Sequence, residues 1–159
     1  MAEFTNNPVQ VVQPNQPVLL NTSIPCNKGY VIHRNGSGLV TLRGVTSNNN
    51  CFARYQVTFD GNIGIPSTGT VAPISVSLAI DGEPILTSKA IFTPAAVTDE
   101  TPSDNNYGNV TSTAIITVPK CCCFNISVEN TSTVPTTPAG ANAPAINVKN
   151  ANLTVQRIA

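Results

Sequence analysis

Charged residues are scarce in this chain of 159 residues. They make up 10% of it, and eight basic side chains balance eight acidic ones. Nucleic-acid-binding domains concentrate Lys and Arg on one face, so this composition argues against a nucleic-acid partner. Copies of such a chain repel one another only weakly, and self-assembly is therefore favoured.

Residue types that carry catalysis are also few. His33 is the only histidine, and the sequence places it within a short strand. Neither a Gly-x-Ser-x-Gly turn nor a phosphate-binding glycine loop occurs. Three carboxylates, Asp99, Glu100 and Asp104, share one segment, but calcium needs six to eight oxygen ligands. The sequence therefore predicts no catalytic residue, no metal and no cofactor, and hence a protein that is not an enzyme.

Long hydrophobic runs are absent, and none is long enough to span a bilayer. The first eight residues have neither the basic region nor the apolar stretch of a secretion signal. These features predict a protein that is made in the cytoplasm and has no membrane partner.

The cysteines are odd in number, and no Cys-x-x-Cys pair indicates a zinc site. At least one thiol is therefore free or paired between chains. Alternation places Cys122 on the buried face of its strand with Phe124, and we interpret Cys122 as a buried thiol. The candidates for disulfides or for cross-links between subunits are Cys26, Cys51, Cys121 and Cys123.

What the sequence does contain is period-two alternation of apolar residues, which is typical of strands with one buried face. It is clearest in 74–80, in 114–118, in 122–128, and in 51–59, where Cys51 shares the apolar face. Turn signals at 35–38, at Asp81-Gly82 and at Pro119-Lys120 predict hairpins. Weaker strands are predicted at 9–12, 17–20, 30–34, 39–45, 89–93 and 153–158. At least eight short strands separated by turns predict an antiparallel sandwich or barrel.

Three segments fall outside this pattern. Residues 94–109 and 130–144 are predicted to be long loops on a variable outer surface, and the sequence leaves open whether they bind a ligand. Residues 1–8 are predicted to be an arm that ties the domain, residues 9–159, to other structural proteins of a particle. The residues of the arm assigned to assembly are Phe4, its one apolar anchor, and Asn6, Asn7 and Pro8, which form a breaker of regular structure.

The pattern resembles the complement-C1q and tumour-necrosis-factor-like jelly roll, particularly its bacterial and phage versions. The resemblance rests on the opening strands at 9–20, the turn within 32–42, the aromatic strand at 55–59, the glycine hairpin within 76–85 and the last strand at 152–158. It covers about residues 9–158. The chain departs from the family in its lack of a collagen-like stalk, its few aromatics and its triple cysteine.

The resemblance implies an all-β antiparallel β-sandwich of the jelly-roll type that assembles into a homotrimer. Members of the family decorate phage heads and fibres or form the tips of spore-surface fibres. We therefore predict a non-enzymatic structural protein of the virion surface. The alternatives are a subunit of spore-surface, or exosporium, fibres, and a carbohydrate-binding adhesion module with a surface glycan as partner. The last is disfavoured because the chain has no Trp and only Tyr107 among its tyrosines lies in a long loop.

Overall fold

The alternating segments form two antiparallel β-sheets, which pack face to face in a computed structural model of the chain. The structure describes residues 1–24, 29–46, 50–66, 71–95, 106–134 and 142–159. The predicted all-β sandwich is confirmed. The part of the chain that the structure describes contains no α-helix, and a single 3-10 turn spans Leu86–Ser88.

The first sheet contains the longest strands. Its order is β10 (Gly108–Pro119), β6 (Phe52–Gly64), β12 (Ile146–Arg157), β1 (Ala2–Asn6) and β3 (Thr22–Ile24), and β2 (Gln10–Val12) pairs with the start of β12. β12 therefore lies at the centre of the sheet, between strands from the beginning and the middle of the chain.

The second sheet has the order β4 (Val31–His33), β5 (Val40–Arg43), β11 (Cys123–Asn130), β7 (Ile74–Ile80) and β8 (Glu83–Pro84), and β9 (Ala90–Phe92) pairs with β7. β7 is buried on both faces, since Ser75, Ser77 and Ala79 are buried as well as the large apolar residues. The prediction of one wetter face is therefore wrong for β7, and it is also wrong for β11, where Ser127 and Glu129 are buried.

The core lies between the two sheets and is built by alternation. Along β6, the side chains of Ala53, Tyr55, Val57 and Phe59 are fully buried. Burying a large apolar side chain stabilises the fold by about 1.5–3 kcal/mol. The Tyr55 hydroxyl donates a hydrogen bond to the main-chain oxygen of Arg43 and so links the first sheet to the second.

The N-terminal residues belong to this core, and the prediction of an arm over residues 1–8 is wrong. Strand β1 pairs with β12 on one side and with β3 on the other. Phe4 is only 1% exposed. Asn6 is buried and donates to the Leu19 carbonyl at 3.2 Å. A short strand that pairs on both sides is held by hydrogen bonds that its own sequence does not reveal.

The end of the predicted arm, after Asn6, is exposed. The Asn7 carbonyl accepts a hydrogen bond from the main-chain N–H of Asn150 at 3.2 Å, and Pro8 follows it at the surface. The breaker signal of Asn7 and Pro8 therefore marks the turn between β1 and β2 rather than a connector.

Of two predicted hairpins, one is confirmed and the other is wrong. Asp81 and Gly82 have positive φ angles of 50° and 84° and join the paired strands β7 and β8, which confirms that hairpin. The hairpin at Pro119-Lys120 is wrong, because β10 lies in the first sheet and β11 in the second. This turn carries the chain across the edge of the sandwich.

The remaining element predictions hold in part. Residues 17–20 form only isolated bridges, at Pro17 and Leu20, instead of a strand. The predicted loops fall largely outside the described residues, at 96–105 and 135–141. Their ends belong to strands, since β10 begins at Gly108 and β11 runs to Asn130.

Candidate functional site

The outer face of the first sheet is broad and polar, and it carries little charge. The register of β10, β6 and β12 places Thr113, Thr58 and Thr154 in one row across it. The Thr113 hydroxyl donates to the Thr58 hydroxyl at 3.2 Å. Threonine suits such a surface because its branched side chain packs well on a pleated sheet.

Each acidic group of this face is hydrogen-bonded within it. The Glu3 carboxylate accepts a hydrogen bond from the Asn152 amide at 2.8 Å. The Asp60 carboxylate accepts one from the Thr111 hydroxyl at 2.5 Å. These hydrogen bonds orient the two carboxylates, which stay charged, so burial of either one still carries a desolvation cost.

A basic group of the same face is also held within it. The Arg54 guanidinium lies over the ring of Phe52, 5.5 Å from its centroid. The guanidinium charge is therefore stabilised by a cation–π contact with a neighbouring side chain of the same strand.

Exposed apolar side chains gather at the end of this face where β6 begins. Ile115 pairs with Gln56, while Phe52 starts β6 and Ile158 donates its N–H to the Arg54 carbonyl at 2.9 Å. We call this region the apolar end; its members are Met1, Phe52, Ile115 and Ile158. Ile115 is 64% exposed. Single exposed apolar residues are common, but several of them at one end of a sheet face indicate a contact surface.

Four cysteines meet beside the apolar end, at the edge where the chain crosses between the sheets. The N–H of Lys120 donates to the Cys51 carbonyl at 2.8 Å, and the N–H of Cys121 donates to the Val45 carbonyl at 3.0 Å. The Gly44 N–H donates to the Cys122 carbonyl at 2.9 Å. We call this region the cysteine corner; its members are Cys51, Cys121, Cys122 and Cys123.

All four thiols of the cysteine corner are free and exposed. The prediction that Cys122 is a buried thiol is therefore wrong, as is the placement of Cys51 on the buried face of β6. Both residues precede the first residue of their strand, so alternation does not reach them. Cys121 has a φ of 62°, which turns the chain just before β11.

The cysteine corner does not form a metal cage. Within the described ranges, no three His, Cys, Asp or Glu side chains lie close enough together to hold a metal ion. Cys26 lies outside the described residues. The exposed thiols of the corner are available to partners in solution.

One Ser–His contact, which the sequence does not indicate, joins β3 to β4. Ser23 Oγ lies 2.7 Å from His33 Nδ1, and His33 Nε2 lies 3.0 Å from the Ser37 carbonyl. A nucleophilic serine also needs free donors for the oxyanion. The nearby N–H groups of Gly36 and Ser37 already donate to main-chain carbonyls. The arrangement thus holds two strands together rather than forming a reactive site.

No helix in the described part of the chain has both the length and the apolar character to cross a membrane.

Comparison with known proteins identifies the architecture. Neither the family profiles nor the curated protein sequences compared with the chain match it. Among solved structures, the globular domain of zebrafish complement 1qA protein is similar, with a TM-score of 0.53, 14% identity and coverage of 96% of this chain and 94% of that one. Murine APRIL aligns with a TM-score of 0.48, 12% identity and coverage of 96% and 98%. The chain therefore has the jelly-roll fold of the C1q globular domain.

Proposed function

We propose that this chain is a non-enzymatic structural subunit that assembles into a homotrimer and decorates the surface of a phage virion. The observation that carries the proposal is the outer face of the first sheet. It is broad and polar, its Glu3 and Asp60 carboxylates are hydrogen-bonded within the face, and exposed apolar side chains lie at one end of it. In the proposed assembly, this face contacts a second copy of the chain.

Covering such a face has both a cost and a gain. Docking removes water from both surfaces, and the largest penalty falls on charged groups that lose it without a new partner. Glu3 and Asp60 keep their hydrogen bonds when the face is covered, and Ile115 gains an apolar environment. Closed cyclic symmetry then limits assembly, because each copy presents the same two surfaces to its neighbours.

Light scattering coupled to size exclusion tests the assembly. We expect the wild-type protein to have three times the mass of the 16.6 kDa chain at micromolar concentration. Ile115→Asp places a charge on the apolar end and should shift the protein to monomer. Ile91→Asp is the matched control, since Ile91 is equally exposed, at 64%, but lies on β9 of the second sheet.

Two results would contradict the assembly proposal. A wild-type monomer at micromolar concentration would exclude the trimer. Equal dissociation by Ile115→Asp and Ile91→Asp would show that the outer face of the first sheet is not the contact surface.

A spore-surface fibre subunit is the second candidate, and the cysteine corner is the observation that favours it. Exposed thiols suit a coat whose subunits are cross-linked through disulfides. Electron microscopy with antibody labelling of native particles separates the two. Label on virions supports the first proposal, and label on spores alone replaces it with the second.

A further inference from the structure

A second feature of the first sheet lies at the opposite end of its outer face. There a pocket of about 230 Å³ is lined by Asn62, Tyr107, Lys149 and Asn150. Asn62 is ten residues along β6 from Phe52, which corresponds to about 30 Å of strand. The pocket is therefore distinct from the apolar end and from the cysteine corner.

A β-bulge shapes this pocket. Lys149 pairs with Asn62 and Asn152 pairs with Asp60, so β12 has one extra residue between these pairs. Asn150 lies in the bulge with a φ of 53°, a left-handed conformation that Asn tolerates better than most residues. Bulges redirect side chains out of the regular pleat and are frequent beside binding sites.

Tyr107 forms the aromatic wall of the pocket, and a glycine allows it to do so. A Cβ atom on Gly64 would lie 3.2 Å from Tyr107 Cδ1 and 2.9 Å from the Asn106 carbonyl oxygen. Gly64 thus permits the ring to lie close to the end of β6. Tyr107 is half-buried, so part of its ring faces solvent.

The amides beside this ring are only weakly bonded to one another. Asn62 Nδ2 donates to Asn150 Oδ1 at 3.4 Å, and Asn109 Nδ2 donates to Asn62 Oδ1 at 3.4 Å. Good N–H···O hydrogen bonds are about 2.9–3.0 Å long. Side-chain amides that are positioned but poorly satisfied can exchange these contacts for shorter ones to ligand hydroxyls.

Among the described residues that line the pocket, Lys149 is the one that carries a charge. Its ammonium group lies over the ring of Tyr107, 5.8 Å from the centroid. An anionic group that enters the pocket therefore meets a cation already positioned beside an aromatic ring.

We propose that this pocket binds a single carboxylate-bearing sugar residue of a glycan. The ring of Tyr107 packs against the apolar face of the sugar, the amides of Asn62 and Asn150 bond to its hydroxyls, and Lys149 pairs with its carboxylate. The volume is below the roughly 300–1,000 Å³ of pockets for drug-sized ligands, as expected for one sugar ring. This inference does not depend on the assembly proposed above.

Titration of the isotope-labelled protein, followed by amide chemical shifts in NMR spectra, tests this binding. The probes are glucuronate, N-acetylneuraminate, glucose and acetate. We expect saturable shifts at Asn62 and Asn150 with at least one acidic sugar, and about tenfold weaker binding of glucose and acetate. Binding of glucuronate alone would identify a uronic acid as the source of the carboxylate, and binding of N-acetylneuraminate alone would identify a sialic acid.

Variants assign the roles of the side chains. Lys149→Met should abolish the preference for glucuronate over glucose, and Tyr107→Ala should abolish binding of both. Lys89→Met is the control, since Lys89 lies just before β9 and outside the pocket. Thermal unfolding of Tyr107→Ala separates loss of binding from loss of the fold.

Three results would overturn the proposal. The first is the absence of saturable shifts with both acidic sugars. The second is binding of acetate as tight as that of glucuronate, which would indicate an anion site without sugar recognition. The third is an acidic-sugar preference that persists in Lys149→Met.

Discussion

The ring of Phe4 packs against the imidazole of His33, with 4.8 Å between the ring centroids and 50° between the ring planes. Phe4 belongs to β1 in the first sheet and His33 to β4 in the second, so the contact closes one side of the sandwich. The first residues of the chain are therefore part of the fold.

Phe4→Ala should lower the free energy of unfolding by about 3–5 kcal/mol, because it leaves a cavity between the sheets. Urea unfolding measures the effect. Val9→Ala is the control, since Val9 is exposed, and it should change stability by less than about 0.5 kcal/mol. If deletion of residues 1–6 left the melting temperature unchanged and weakened only attachment to a particle, these residues would be a connector after all.

His33→Ala should lower the free energy of unfolding by about 1–3 kcal/mol, because it removes the hydrogen bonds of the imidazole to Ser23 and Ser37 and its packing against Phe4. Thermal unfolding measures the loss. The neighbouring exposed residue supplies the control, and Arg34→Ala should have almost no effect. A stable His33→Ala protein that had lost a catalytic rate would instead assign His33 to an active site.

Cys122→Ser should change the free energy of unfolding by less than about 0.5 kcal/mol, because Cys122 is exposed. Val118→Thr, at a fully buried position nearby, should cost about 1–3 kcal/mol through its unsatisfied hydroxyl. Denaturant unfolding of both variants makes the comparison. A large loss for Cys122→Ser would restore the interpretation of a buried thiol.

Gly44→Ala should destabilise the protein by about 3 kcal/mol through overpacking. The added Cβ would lie 2.0 Å from the Pro119 carbonyl oxygen, a main-chain atom that cannot rotate away. Gly82→Asn is the control, since open space surrounds Gly82 and Asn tolerates its φ of 84°. Equal melting temperatures for the two variants would contradict the close approach at the cysteine corner.

The cysteine corner should cross-link copies of the chain in the presence of glutathione disulfide. A thiolate of one copy attacks the glutathione disulfide and releases one glutathione; a thiolate of a second copy then displaces the other and forms the disulfide between chains. Electrophoresis without reductant should show covalent oligomers. They should disappear when all four residues of the corner are replaced by Ser, while Cys26→Ser, the one cysteine outside the corner, should retain them.

Alternation in the sequence predicts the buried faces well where strands are long. Val57 and Phe59 on β6 and Ile126 and Val128 on β11 are buried as expected. The pattern succeeds because a pleated strand turns successive side chains to opposite faces whatever its neighbours are. It fails at Cys122, which lies one residue before its strand begins.

The pocket beside Tyr107 is much less predictable from the sequence than the core. Tyr107 stands out in the sequence as the one tyrosine of a long loop, but nothing local connects it to Asn62 or Lys149. Those residues meet because β6 pairs with β12 in one particular register and a bulge displaces Asn150. A register shift of one residue would move every side chain of the strand to the other face.

The sequence by itself determined the all-β sandwich, its buried faces and its glycine hairpin, because alternation and turn chemistry act over a few neighbouring residues. Only the tertiary structure decided that Phe4 is a core residue, that Cys51 joins Cys121–Cys123, and that the pocket exists. Each of these depends on pairing between strands far apart in the chain, and such pairing is selected by the packing of the whole sandwich rather than by any local pattern.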